Sequence, residues 1–114
     1  MTKLNYKHVV DRRTERRIPI DQRCWCEGRD VTLYGRITNA SAKGAFIRTA
    51  ASLRIGEPAR LVWNTPNGDR TAIRVEVVWV SDGGSGTEPG LGLRLLGFEA
   101  GKDLWTELLE SSGF

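Results

Sequence analysis

The chain of 114 residues is the size of one domain, and 39% hydrophobic with 27% charged residues describes a globular protein that folds without disulfides or metal. No apolar run approaches the ~20 residues of a membrane-spanning helix, and no apolar leader follows Met1, so a cytoplasmic protein with no membrane insertion is expected. The net charge of +3 hides an asymmetry: residues 1–60 hold 13 Lys/Arg against 6 Asp/Glu, and residues 61–114 hold 4 against 8.

Residues 1–11 read as a flexible tail ahead of a single domain over residues 12–114. The segment Asp11-Arg12-Arg13-Thr14-Glu15-Arg16-Arg17-Ile18-Pro19 then places four arginines within six positions. As a helix it would stack like charges at i,i+4 (Asp11/Glu15, Arg12/Arg16, Arg13/Arg17), and Pro19 disfavours the α conformation at Ile18. An extended or irregular arm is expected instead. It is either a solvated tail or a set of guanidinium groups that a multiply anionic ligand would settle electrostatically.

Cys24 and Cys26 flank Trp25. On a strand their side chains share one face, too close in sequence for an unstrained bridge, and a single histidine (His8) cannot complete a four-ligand zinc site. They read as free, buried thiols. No nucleophile elbow, Cys/His pairing, metalloprotease helix or phosphate-loop pattern occurs, so no catalytic residue, metal or cofactor is assigned.

Strand signals follow at intervals of about ten residues. Val31–Thr38 alternates, with Val31, Leu33 and Ile37 on one face. Ala45–Thr49 and Ala59–Asn64 come next, then a turn at Pro66–Asp69. A long strand runs from Thr71 to Ser81, with Ile73, Val75, Val77 and Trp79 facing one way and Arg74 and Glu76 the other. Gly83-Gly84-Ser85-Gly86 reads as a flexible hairpin loop, and Leu91, Leu93 and Leu95 alternate again. Beyond Gly101 the period becomes helical, with Leu104, Trp105, Leu108 and Leu109 on one side. The pattern is an all-β barrel or sandwich with one helix capping an end. Phe46, Trp63 and Trp79 fall at positions suited to its core.

Between the first and second of these segments lies Asn39-Ala40-Ser41-Ala42-Lys43-Gly44. Its residues suit an ordinary turn, with Gly44 free to take a positive φ; alternatively, Asn39 and Ser41 present an amide and a hydroxyl to a base edge. Arg13-x-x-x-Arg17, then Asn39-x-Ser41-x-x-Gly44, resembles the signature of the PilZ domain family, R-x-x-x-R followed by [D/N]-x-S-x-x-G. The likeness continues through the Val77–Trp79 strand, the Gly90–Arg94 strand and the closing helix, over roughly residues 11–110. It implies a six-stranded antiparallel PilZ-type β-barrel with a C-terminal α-helix, serving as a bacterial receptor for cyclic di-GMP.

By matching position, the resemblance assigns Arg13 and Arg17 to phosphate and guanine, Asn39 and Ser41 to a guanine edge, and Gly44 to the turn that places them. Arginine chemistry agrees, since its planar fork pairs bidentately with phosphate oxygens and with guanine O6/N7. Arg12 adds a third guanidinium, expected to favour a stacked ligand pair and a ligand-mediated homodimer. Asn39, neutral where the family also uses aspartate, predicts moderate affinity. An arm that orders on the ligand would signal to a downstream protein, making the chain an adaptor. The alternatives are an interaction module of the same fold that binds no nucleotide and a small basic nucleic-acid-binding barrel. The placement of the aromatics disfavours the second.

Overall fold

The computed structural model describes residues 17–84 and 86–113, and among these described residues it has six strands and one helix. They are β1 (Ile18–Glu27), β2 (Thr32–Ala40), β3 (Gly44–Arg48), β4 (Pro58–Asn64), β5 (Arg70–Asp82), β6 (Pro89–Ala100) and α1 (Lys102–Gly113). The expectations for the tail, for Arg12 and Arg13, and for Ser85 lie outside the described residues.

The strands close into an antiparallel barrel in the order β1-β2-β3-β6-β5-β4, with β1 and β4 completing the ring. Closure leaves no strand edge open to pairing with another chain. Alternation along each strand fills the interior: Cys24 and Cys26 from β1, Leu33 and Ile37 from β2, Ile47 from β3, Leu61 and Trp63 from β4. Ile73, Val75 and Val77 from β5 and Leu91 and Leu93 from β6 complete it, and Leu53 joins from the β3–β4 connection. Burying each such aliphatic side chain stabilises the fold by roughly 1.5–3 kcal/mol.

The turns follow the expected chemistry. Gly68 takes φ +89° in the β4–β5 turn, where Thr65 bonds to Gly68 and Asp69. Gly83 and Gly86 take positive φ in the β5–β6 hairpin. Gly101, at φ +79°, breaks β6, and its carbonyl accepts the first bond of α1 from the Trp105 amide. Its missing Cβ matters too, since one would stand 2.6 Å from Thr71 Oγ1. Helix α1 lies against β1 and β5, and buried Trp105 stacks at a tilt on Trp63 with ring centroids 5.3 Å apart.

Three sequence expectations are corrected. Val31 precedes β2 and is exposed rather than inward. Gly44 begins β3 with no positive φ. Its need for glycine comes from close packing, because a Cβ there would stand 2.7 Å from the Leu93 carbonyl oxygen. Trp79 does not share the inner face of Ile73, Val75 and Val77; it is 51% exposed.

Candidate ligand-binding groove

The reason for the Trp79 reversal is a β-bulge. On β5, Val77 pairs with Leu93 and Trp79 with Gly92, so two steps on β5 oppose one on β6 and Val78 is the extra residue. Strict alternation would send Trp79 inward, but the inserted residue turns both Val78 and Trp79 to the outside. A second bulge does the same on β2, where Ile37 pairs with Ile47 and Asn39 with Phe46, leaving Thr38 as the extra residue. Asn39 is thereby rotated from the inner to the outer face, and it belongs to β2 itself rather than to the following turn.

The registers align these residues into one lateral row across five strands. Pro19 on β1 pairs with Asn39 on β2, Asn39 with Phe46 on β3, Phe46 with Gly92 on β6, and Gly92 with Trp79 on β5. Gly92 is the low point of the row. A Cβ there would come within 2.9 Å of Trp79 Cβ, so the glycine is what seats the indole. Gly90 does the same for Phe46, whose Cζ stands 2.7 Å from where a Cβ would be. Phe46 and Trp79 meet edge to face, with centroids 5.3 Å apart and planes at 66°. That offset arrangement is favourable for two quadrupolar rings.

These residues line a groove of about 760 Å³ on the outer wall, with Arg17, Thr38 and Val78. Arg17 and Val78 also border a smaller recess of about 270 Å³ formed with Ser41, Lys43, Gly44, Leu93 and Arg94. The Arg17 guanidinium donates from Nη1 to Asn39 Oδ1 at 3.1 Å, and its Nη2 lies 3.8 Å from the position a Cβ of Gly44 would occupy. Arg94, opposite Gly44 in the β3–β6 register, pairs with Glu76.

Ser41 is buried. Its hydroxyl accepts from the amides of Lys43 and Gly44, each at 3.2 Å, and its own amide donates to the Gly44 carbonyl at 2.8 Å. The serine thus closes the β2–β3 turn from inside. Its carbonyl accepts from Trp105 Nε1 at 3.2 Å, which fastens α1 to this turn. Of the expected site residues, Arg17, Asn39, Ser41 and Gly44 are therefore brought together. The sequence reading did not place Phe46, Val78, Trp79, Gly92, Arg94 and Trp105 with them. One signal was present: two glycines in a strand, at 90 and 92, mark close approach by other groups.

This arrangement places a cation, an amide and two aromatic rings on one open face. The thiols take no part in it, and burial pushes Cys24 and Cys26 each up to about 12. The PilZ domain family model matches residues 11–109. The chain belongs to the PilZ domain family. PilZ domains are receptor and adaptor domains for cyclic di-GMP, not enzymes. No curated protein matches the chain.

Proposed function

We propose that this PilZ domain binds cyclic di-GMP across the outer groove, using Arg17 and Asn39 together with the Phe46–Trp79 pair. The observation that carries this reading is the Arg17–Asn39 hydrogen bond beside the exposed Trp79 ring and the half-buried Phe46 ring, joining both halves of the family signature on one surface. A guanine lying on Trp79 would gain about 1–3 kcal/mol from stacking. Arg17 would turn its fork to phosphate or to guanine O6/N7, and Asn39 would accept from the guanine N–H groups. Arg12 and Arg13 precede this groove in sequence and would add guanidinium groups to a bound phosphodiester. On binding, that arm would order and present a changed surface to a partner protein. The protein then serves as an adaptor, cytoplasmic and bacterial.

Titration calorimetry with cyclic di-GMP tests this. Wild type should bind in the micromolar range, Arg17→Ala and Arg13→Ala should each weaken binding about 10- to 100-fold, and Trp79→Ala by about 5- to 100-fold. More than one ligand per chain at saturation would support the stacked pair assigned to Arg12. No heat from wild type would favour the interaction module that uses no nucleotide. The exposed Trp79 also lends weight to the nucleic-acid reading, so an oligonucleotide binding more tightly than cyclic di-GMP would replace the proposal.

A further inference from the structure

A second feature of the outer wall lies one row along from the groove. Arg23 on β1 pairs with Arg36 on β2, and Arg36 pairs with Arg48 on β3, which sets three arginines directly side by side across adjacent strands. Like charges opposite one another destabilise a sheet. Among the described residues two carboxylates answer this, both from flanking positions: Asp21 on Arg36 at 2.8 Å and Glu88 on Arg48 at 3.2 Å. Arg23 has no ion-pair partner among the described residues. Tyr34, two residues before Arg36 on the same outer face, is 74% exposed and lines a shallow recess of about 450 Å³ with all three arginines.

We infer that the row of Arg23, Arg36 and Arg48, with Tyr34 beside it, is a docking surface for an acidic helix of a partner protein. The two internal ion pairs show that these guanidinium groups accept carboxylates in this setting. The geometry selects the partner further. Strands stand about 4.8 Å apart, so the row is about 10 Å long. Seven helical residues rise about 10.5 Å, so carboxylates at i, i+4 and i+7 of a helix lie in step with the three arginines. An apolar side chain on the same helix would cover Tyr34.

Other occupants fit less well. The chain's own α1 carries Asp103, Glu107 and Glu110 at this spacing. However, its outward residues Lys102, Thr106 and Ser111 are also polar and offer nothing apolar to Tyr34, and exposed ion pairs alone are weak. Single-stranded nucleic acid would need several open rings along the row. Trp25, opposite Tyr34 in the β1–β2 register, already lies under Arg70 and donates to Glu27 at 2.8 Å.

Fluorescence anisotropy tests the inference without cyclic di-GMP, using the whole chain and a labelled helical peptide. The peptide carries glutamates at i, i+4 and i+7 with an adjacent leucine. At 50 mM salt the peptide should bind in the micromolar range. Arg36→Gln should weaken it at least 5-fold, while Arg29→Gln with Arg54→Gln, on loops away from the row, should change it less than 2-fold. Replacing the peptide's glutamates by glutamines should abolish binding, which tests the charge requirement independently of any variant's folding. Absence of peptide binding, or equal binding of the glutamine peptide, would overturn the inference. So would equal loss in the Arg29/Arg54 variant. Tighter binding of a single-stranded oligonucleotide that Arg36→Gln abolishes would transfer the surface to nucleic acid. Dimerisation removed by Glu107→Gln and Glu110→Gln would transfer it to a second copy.

Discussion

Removing the Trp105 side chain tests whether α1 and the signature turn are one mechanical unit. Trp105 is 2% exposed, packs on Trp63, and donates to the Ser41 carbonyl. Trp105→Ala removes a large buried ring from a site that can collapse only by moving α1, at a cost of about 3–5 kcal/mol. Against a total stability of about 5–15 kcal/mol, that is a third or more of the margin in most of the range. At about 4 °C per kcal/mol for a chain of this size, the melting temperature should fall by about 12–20 °C. Trp105→Phe keeps most of the apolar contact but withdraws the indole N–H, leaving the Ser41 carbonyl short of a donor at about 1–3 kcal/mol. Urea unfolding followed by circular dichroism gives both values, with exposed Glu107→Ala as a control expected within ±0.5 kcal/mol. A Trp105→Ala variant within ~1 kcal/mol of wild type would refute the reasoning, because α1 would then not be fastened to the turn.

Gly92→Val should push the Trp79 indole from its seat, since even a Cβ would stand 2.9 Å from Trp79 Cβ; titration should show cyclic di-GMP affinity falling at least as far as in Trp79→Ala. Asn39→Asp should tighten ligand binding by about 5-fold through charge-assisted hydrogen bonds worth ~1 kcal/mol more, and the same titration reads it. Gly44→Ala should destabilise the barrel in urea unfolding, because the new Cβ meets the Leu93 backbone oxygen at 2.7 Å and neither strand is free to give way. The thiols make stability fall at alkaline pH. Their protons are held up to about 12 in the folded chain but leave near 9 when it unfolds, so this contribution is intact below pH 9 and is lost between pH 9 and 12. Denaturation midpoints measured across that window check the sign, and a thiol reagent at pH 8 should label both cysteines only after unfolding.

The barrel was legible where alternation runs unbroken. Ile73, Val75 and Val77 sit inside with Arg74 and Glu76 outside, and Cys24 and Cys26 share the inner face, because period two on a half-buried strand leaves no other solution. The helix was equally legible, since Leu104, Trp105, Leu108 and Leu109 change period where Gly101 ends the sheet. The motif residues Arg17, Asn39, Ser41 and Gly44 lie near one another in the fold. Sequence alone did not reveal the division of labour within that turn. Ser41 has its hydroxyl pointed at the backbone amides of residues 43 and 44, a choice that depends on where the chain bends.

The groove was hidden for a specific reason: it is built where alternation breaks. A bulge changes no residue type and leaves no mark in hydrophobic pattern, yet it reverses every side chain beyond it. Val78 and Thr38 are ordinary strand residues, so nothing announces that Trp79 and Asn39 face outward after them. A binding surface on a closed barrel needs such breaks. With strict alternation, Asn39 would point into an apolar core and Trp79 would compete with Leu91 and Leu93 for interior volume. Two insertions, one on either side of the Phe46–Gly92 pair, turn both outward while Ile37, Ala40, Val77 and Val80 continue to face the core. The barrel keeps its packing, and the exceptions to its period become the ligand face.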